Sequence, residues 1–264
     1  MLPRKVINLH HENRLKNEGN ILGSLKKIDS NKNLDFLLQR RFSYIEKNIK
    51  GLNDILELGC GAGHSKKYIK QNIKISDITN YKFLDYKNVD CLDTPFEDGS
   101  YDAVFSLSLI HHIPNPIKLF NEVGRILKKG GKYIILDINA SFFFKLITIL
   151  TKSEKYDLDV NIYDEKINLT DPNDPFDSNN AVPKLIFDNF QKFNNELKYN
   201  FEINDFKYQE FFTFINSGGV IIDSPYIPFN NVLLKSFDNL DNFLSKFNKI
   251  FPLHIYCCLQ KKIM

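Results

Sequence analysis

The chain has 264 residues, of which 43% are hydrophobic and 13% aromatic. That is enough to bury one sizeable core, as a single domain with an insertion or as two small domains. Charged residues make up 25% and the net charge is only +3, a balance that argues against a dedicated nucleic-acid binder. The four cysteines lack C-x-x-C spacing, the N-terminus lacks a signal-like apolar region, and the longest apolar run, 142–150, contains Lys145. We therefore expect a cytoplasmic chain with no structural zinc and no transmembrane segment.

The first half of the chain alternates between strand and helix patterns. Apolar residues at helical spacing predict an amphipathic helix over 33–50. The next predicted elements are a strand at 54–58, a glycine-rich loop, a polar helix to residue 72, short strands at 73–77 and 88–90, a strand at 101–107, a helix from about 116 to 128 and a fifth strand at 132–137. The pair Gly130-Gly131 is interpreted as the stop of that last helix. This alternation predicts an α/β fold around a parallel sheet.

The pattern changes after residue 137. Residues 138–200 are rich in Asn, Asp, Phe and Pro, and only 182–195 has a helical pattern. Regularity returns with a predicted strand at 205–214, a helix at 237–247 and an alternating strand at 253–260. These last three predicted elements follow a long insertion, and we expect their two strands to complete the edge of the sheet.

The glycine-rich loop lies between the first strand and the following helix. Gly59, Gly61 and Gly63 allow a tight turn and a close approach to a ligand, and a helix N-terminus behind them favours electronegative groups. The dinucleotide fingerprint G-x-G-x-x-G fails, because its third glycine falls at His64, and no P-loop Gly-Lys-Ser/Thr follows. Glu57 precedes the first glycine by two positions. The loop alone therefore predicts only a nucleotide-like ligand.

Four motifs together resemble the class I S-adenosylmethionine-dependent methyltransferases. The glycine loop is similar to the family's E/D-x-G-x-G-x-G. The other three are Asp90 to Phe96 with the following residues to Asp102, similar to D-x-x-x-x-P-F-x-D-x-S-F-D; Ser106 to Pro116, similar to the segment after the fourth strand; and Glu122 to Gly131, similar to E-x-x-R-x-L-K-P-G-G with Lys129 in place of Pro. The resemblance spans residues 54–137. It implies a Rossmann-like, seven-stranded mixed sheet with helices on both faces and an insertion between the fifth and sixth strands. It also implies S-adenosylmethionine as cofactor, with S-adenosylhomocysteine as product.

The resemblance carries over a set of cofactor-binding residues. Asp77 ends the second strand, where a carboxylate can accept ribose hydroxyls. In the family the residue matching Asp90 meets the adenine amino group, and the residues after it flank the ring. Only 12 residues separate Asp77 from Asp90, too few for a full helical crossover, so the role of Asp77 is less firmly implied than those of Glu57 and Asp90. The expected set is Glu57, Gly59, Gly61, Gly63, Asp77, Asp90, Cys91, Leu92 and Ser106.

Catalysis is expected to depend mainly on positioning. A sulfonium methyl is already electrophilic, so the protein must hold the acceptor in line and exclude water. A hydroxyl acceptor also needs a general base. His111 and His112 follow the fourth strand at the carboxyl edge of the sheet and are the base candidates, although either could simply cap or pack the next helix. No metal ligand set is expected.

Other residues have two open interpretations. His64 is expected to be exposed, and His10 and His11 belong either to an N-terminal lid or to a mobile terminus. The loop at 170–183 is either a lid or a surface loop. Glu210 either orients a polyol or points outward from a strand. The apolar stretch 142–150 is expected to be a core or substrate-covering helix in preference to a membrane contact.

These observations predict a single domain, 1–264, in four parts. They are an N-terminal lid and helix (1–50), a cofactor-binding core (51–138), a substrate-covering insertion (139–204) and a sheet-closing part (205–264). The expected reaction is O-methylation of a small polar acceptor, such as a nucleotide-linked sugar or a sugar of a capsular or other polysaccharide, which would place the chain in polysaccharide biosynthesis. The alternatives are N- or C-methylation of another metabolite, and a non-catalytic, methyltransferase-like binding subunit. The oligomeric state stays open.

Overall fold

The structure is a computed structural model that describes residues 21–151, 155–164, 166–174, 177–220 and 223–263. Its helices are α1 (Ile21–Ser30), α2 (Lys32–Ile49), α3 (Ser65–Tyr68), α4 (Pro116–Ile126), α5 (Phe142–Thr151), α6 (Val182–Asp188), α7 (Phe190–Asn195), α8 (Phe212–Ile215) and α9 (Asn231–Leu244), with a 3-10 turn at Ile110–His112. Its strands are β1 (Ile55–Leu58), β2 (Lys74–Ser76), β3 (Tyr101–Leu107), β4 (Leu127–Ile138), β5 (Phe201–Gln209) and β6 (His254–Lys261).

The strands form one mixed sheet in the order β2-β1-β3-β4-β6-β5. The pairs β1–β2, β1–β3 and β3–β4 are parallel, and β6 runs antiparallel to both β4 and β5. This confirms the predicted Rossmann-like α/β class. Seven strands were expected, but the sheet has six in the part of the chain that is described. The strand predicted at 88–90 does not form, and one parallel bridge between Ser76 and Tyr86 lies beside β2 instead. The short connection turns at Asn88, whose φ is +52°, which interrupts extended structure there.

The pair Gly130-Gly131 does not end helix α4, as the sequence suggested. The helix ends at Ile126 and β4 begins at the next residue. The register of β3 and β4 then shifts, because Tyr101 pairs with Leu127 but Ala103 pairs with Lys132. Gly130 has a φ of +73° in this irregularity. Glycine is required here for a bulge, since that backbone conformation is costly for other residues.

Several predicted boundaries in the second half also move. The helix expected at 182–195 is two helices, because Asn189 leaves the helical conformation and accepts a hydrogen bond from the Lys192 amide as the N-cap of α7. The strand expected at 205–214 begins earlier and ends at Gln209. Glu210 follows with a φ of +64°, which stops the strand before α8.

Helices cover both faces of the sheet, as expected. On one face, apolar side chains of α1 and α2 pack on β1, β3 and β4. On the other, α4, α6 and α7 pack around Phe120, whose ring contacts Tyr133, Phe193 and Phe201 edge-on. Aromatic edge contacts of this kind add to the stabilisation from burial. None of the described helices is both long and apolar enough to cross a membrane.

Candidate functional site

The glycine loop follows β1 at the carboxyl edge of the sheet. Gly59, Gly61 and Gly63 have φ values of +66°, +54° and +71°, a region that disfavours residues with a Cβ. A Cβ at Gly59 would lie 2.6 Å from Cδ1 of Leu109, whereas a Cβ at Gly61 would have no atom within 4 Å. The first glycine is therefore needed for packing, and Gly61 presents bare backbone to open space.

Asp77 holds the loop against the end of β2. It is 8% exposed, and its Oδ2 accepts a hydrogen bond from the Gly61 amide at 2.9 Å. Its Oδ1 accepts one from the Thr79 amide at 3.0 Å, and the Cys60 amide donates to the Ser76 carbonyl at 3.1 Å. The structure thus brings Asp77 to the glycine loop even though the crossover after it is short.

Glu57 lies beneath the loop. It is 3% exposed, and it accepts a hydrogen bond from the Ser65 hydroxyl in the first turn of α3. Burial raises the pKa of Glu57 to about 8; the Ser65 hydrogen bond opposes this and the charge of Asp77 adds to it. In this geometry Glu57 connects β1 to the helix behind the loop.

His64 was expected to be exposed, which is wrong. It is 8% exposed, and its Nε2 lies 2.9 Å from the Ser24 hydroxyl of α1. Burial, with the charges of Arg41 and Lys67, lowers the pKa of His64 to about 4. The cause is helix α1, which the sequence analysis did not identify and which covers the loop. His10 and His11 lie outside the described residues.

The segment after Asp90 supplies both a carboxylate and apolar side chains. Asp90 is exposed, and its Oδ1 accepts a hydrogen bond from the Leu92 amide at 2.9 Å. Cys91 and Leu92 are half-buried against the core. Burial raises the pKa of the Cys91 thiol to about 12, so the thiol stays protonated and apolar near neutral pH.

Ser106 lies inside the sheet, apart from the other expected cofactor-binding residues. It is 1% exposed within β3, and its hydroxyl lies 3.0 Å from that of Tyr133 on the neighbouring strand. The hydroxyl is therefore satisfied inside the sheet, so the expectation that it contacts a cofactor finds no support in this geometry.

His111 forms a buried pair with Asp137. Nδ1 of His111, which is 3% exposed, lies 2.6 Å from Oδ1 of Asp137 at the end of β4. The backbone amides of Ile110 and Ile138 donate to the same carboxylate at 2.8 and 2.7 Å. Burial acts to raise the pKa of Asp137, but the charge and hydrogen bond of His111 and these amides hold it below its ordinary value. A buried carboxylate of this kind fixes the orientation of an imidazole.

His112 faces the segment after β4. Its Nδ1 lies 3.0 Å from the Asp177 carbonyl oxygen, and its ring centroid is 4.2 Å from that of His111. The Asn179 amide donates to the His111 carbonyl at 2.7 Å. Two atoms beside this contact, the Ser178 hydroxyl and the Asn180 amide oxygen, are buried without a hydrogen-bond partner among the described residues. The 3-10 turn at Ile110–His112 and residues 177–180 thus form one continuous polar surface.

A second buried cluster surrounds Glu210. Arg41 of α2 donates to its two oxygens, from Nε at 2.9 Å and from Nη2 at 2.7 Å. The Tyr256 hydroxyl donates to it as well, and Nδ1 of His254 lies 3.0 Å from Oε2. Burial would raise the pKa of Glu210, but the charges of Arg41 and His254 and the hydrogen bonds lower it to about 2. Both interpretations of Glu210 were wrong, since it neither points outward nor is available for a polyol.

Two residues of these clusters were missed from the sequence, although each left a signal. Asp137 is an acid at the end of a buried strand, where sheet-edge sites form. Arg41 occupies a core-facing position of α2, between the buried Leu38 and Ile45. A charge within an apolar helix face requires a buried partner.

Residues 56–135 match the family model described as a methyltransferase domain. The chain is 28% identical over 110 residues to a chloroplastic tocopherol O-methyltransferase of Arabidopsis thaliana, covering 34% of this chain and 32% of that protein. It is 41% identical over 101 residues to a sterol 4-C-methyltransferase of Caenorhabditis elegans, covering 31% and 30%. The chain thus spans about a third of the length of these two curated relatives. The crystal structure of an S-adenosylmethionine-dependent methyltransferase from Archaeoglobus fulgidus is similar at 15% identity and a TM-score of 0.49, covering 86% of this chain and 93% of that one.

Proposed function

We propose that this chain, which carries the methyltransferase domain of the class I S-adenosylmethionine-dependent enzymes, methylates a hydroxyl group of a small acceptor. S-adenosylmethionine is the cofactor of this class and supplies an electrophilic methyl group when bound. The observation that carries the proposal is the position of two features at one sheet edge. One is the open backbone at Gly61, and the other is the His111–Asp137 pair.

The residues around the glycine loop fit the cofactor. The open space beside Gly61 admits a ligand to van der Waals contact with the backbone. Asp77, although already bonded to two amides, keeps further lone pairs for ribose hydroxyls. The exposed Asp90 carboxylate accepts one amide and can also accept an adenine amino group, while Cys91 and Leu92 offer apolar contact to the ring. Glu57 supports the loop from below through Ser65.

His111 is the proposed general base. Asp137 accepts a hydrogen bond from the Nδ1–H of His111, which leaves Nε2 as the basic atom of the neutral imidazole. Removing the acceptor proton as the new bond forms requires a general base, and an imidazole nitrogen can fill that role. His112 then has the lesser role of holding the adjacent backbone at Asp177.

The segment 139–204 is proposed to cover the acceptor. Its contacts with the 3-10 turn place the Ser178 hydroxyl and the Asn180 amide oxygen in buried positions beside the two histidines. Buried polar atoms carry a free-energy cost until a partner satisfies them. A hydroxyl-bearing acceptor is such a partner.

A sugar acceptor stays a prediction. The names of relatives concern tocopherol and fatty-acid O-methylation, sterol C-methylation and phosphoethanolamine N-methylation. Because those names cover three kinds of accepting atom, they do not favour a sugar or decide the methylated atom. Oxygen is preferred here on the strength of the His111–Asp137 pair alone.

The experiment is transfer of deuterated methyl from S-adenosylmethionine to an acceptor panel, read by mass spectrometry. The panel contains sugar nucleotides, hydroxylated lipids, phenols, carboxylic acids and amines. With the best acceptor, His111→Gln is expected to lower kcat by about 10²–10⁴-fold while cofactor affinity stays within about twofold. His112→Gln is the matched control and is expected to retain most of kcat.

Three results would contradict parts of this proposal. Full activity of His111→Gln would remove the base assignment. Methylation of amines or carbon atoms only would favour the N- or C-methyltransferase alternative. Cofactor binding without transfer to any class of acceptor would favour a non-catalytic binding subunit.

A further inference from the structure

Helix α5 turns an apolar stripe toward solvent. Phe142, Leu146, Ile149 and Leu150 are 61%, 38%, 62% and 73% exposed. Their spacing places them on one side of the helix, whereas Phe144 and Thr148 on the other side are 8% and 6% exposed. The stretch is therefore not a core helix, which was one of the two forms that the sequence suggested. Its more apolar side faces outward.

Helix α9 and the turn after it carry a second exposed stripe. Leu240, Phe243, Phe247 and Ile250 are 39%, 54%, 46% and 42% exposed. The inward side of the same helix holds Asp241, which is 2% exposed and accepts hydrogen bonds from the backbone of α8 and from Thr213. In α9, as in α5, a polar side chain is buried while large apolar side chains are exposed to solvent.

The two stripes meet at the start of α5. The Phe142 amide donates to the Lys249 carbonyl at 2.9 Å, and the Phe143 amide donates to the Ile250 carbonyl at 3.1 Å. Phe143 stacks on Phe251, and Phe251 in turn contacts Phe247. We call the eight exposed side chains the apolar face: Phe142, Leu146, Ile149, Leu150, Leu240, Phe243, Phe247 and Ile250. Scattered exposed apolar residues are ordinary, but a contiguous set indicates an interaction surface.

The exposed charges on these two segments have one sign. The exposed charged residues within 139–151 and 230–250 are Lys145, Lys235, Lys246 and Lys249. The acids of the same segments are turned away, because Asp241 is buried and Asp238 pairs with Arg40 at 2.6 Å. Lys246 lies 5.6 Å from the ring centroid of Phe243. Lysine ammonium groups beside large apolar side chains match an anionic lipid surface, where the apolar groups enter the headgroup boundary.

We propose that the apolar face docks onto anionic phospholipid bilayers. The face belongs to the same edge of the sheet as the functional site, since α5 begins four residues after β4 ends at Ile138. The apolar cluster of Ile138, Phe144, Phe211 and Leu253 packs the end of β4 against α5. Docking therefore brings that edge close to the lipid. This inference stands independently of the methyl-transfer proposal.

The test is flotation of the full chain with unilamellar vesicles of phosphatidylcholine alone or with one-third phosphatidylserine. Wild-type protein is expected to float with the anionic vesicles and to be released as salt is raised. Ile149→Ser/Leu150→Ser and Lys246→Glu/Lys249→Glu are each expected to weaken that binding about tenfold or more. Ile203→Ser/Ile263→Ser is the matched control, because it removes two isoleucines that are 45% and 76% exposed outside the face.

The outcomes separate a lipid partner from a second copy of the chain. Thermal unfolding first establishes that each variant is folded. Unchanged vesicle binding of the two face variants would overturn the proposal, as would equal binding to both kinds of vesicle. Dimers that dissociate in the face variants, without vesicle binding, would assign the face to self-association and would also overturn it. Vesicle binding is measured without cofactor or acceptor, so its failure would leave the methyl-transfer proposal unaffected.

Discussion

The open space at Gly61 allows a matched pair of substitutions. Gly61 and Gly51 both have positive φ, +54° and +80°, and a Cβ would have no atom within 4 Å at either position. Gly51 lies in the turn after α2, away from the loop. Gly51→Ala therefore measures the backbone penalty alone, and Gly61→Ala measures the same penalty plus any interference with a ligand.

The magnitudes follow from the two geometries. An alanine at positive φ costs about 1–2 kcal/mol, which corresponds to a fall in Tm of about 2–8 °C for a domain of this size. Both variants are expected to lose this amount. If the cofactor contacts the Gly61 backbone, a methyl group there costs a further 1–3 kcal/mol or so of binding by overpacking. That lowers affinity for S-adenosylmethionine about 5–150-fold in Gly61→Ala.

Isothermal titration with S-adenosylhomocysteine, on variants that thermal unfolding has shown to be folded, gives the comparison. Gly51→Ala is expected to bind with wild-type affinity, and Gly61→Ala is expected to bind weakly. Equal affinity of the two variants would refute the argument that the space beside Gly61 receives the ligand. Weaker binding by both variants would mean that general destabilisation of the fold is the cause.

Three further predictions concern buried charges. Because folding raises the pKa of Glu57 from 4.5 to about 8, its contribution to stability is present below pH 4.5 and is lost as the pH rises to about 8. Urea titrations from pH 5 to 8 should show Glu57→Gln gaining about 3–4 kcal/mol on wild type, and parallel stability curves for the two proteins would contradict this. Folding lowers the pKa values of His64 and His254 from 6.5 to about 4. The free energy of unfolding should therefore fall as the pH drops from 6.5 to 4, by up to about 3 kcal/mol for each group. His64→Gln should reduce this fall, and the same pH dependence in wild type and variant would contradict the prediction. Arg41→Met should lower the free energy of unfolding by about 3–5 kcal/mol because it leaves Glu210 buried without its cation. Chemical denaturation should show that the double variant Arg41→Met/Glu210→Gln recovers part of this loss. Additive losses of stability from the two substitutions would contradict the pairing.

The features predicted well from the sequence were those specified by nearby residues. The strand at 101–107 and the helix beginning at Pro116 follow from hydrophobic periodicity and from a helix-start signal. The glycine loop was recognised because its three positions need positive φ. Asp77 reaches the loop because parallel strands β1 and β2 end at the same edge.

The features that failed depend on partners distant in sequence. Arg41 and Glu210 are 169 positions apart, so no local pattern distinguishes the buried pair from two surface charges. His111 and Asp137 are 26 positions apart and meet only once β3 and β4 pair. A glycine at position 130 could equally follow a helix or form a bulge. It forms a bulge because of the register in which β3 and β4 pair. Burial of His64 depends on α1, a helix that was not predicted from the sequence.

Titration of the full chain with S-adenosylmethionine, for wild type and Asp90→Ala, tests whether the cofactor binds at the carboxyl edge of the sheet. We expect one bound cofactor per chain for wild type. Loss of the Asp90 carboxylate, which is exposed beside Leu92, is expected to weaken binding by about 1–3 kcal/mol, or about 5–150-fold. Asp93→Ala, three residues away, is the control and should bind as wild type. Absence of binding to wild-type protein would contradict the cofactor site altogether, and equal affinities for wild type and Asp90→Ala would contradict its placement at this edge of the sheet.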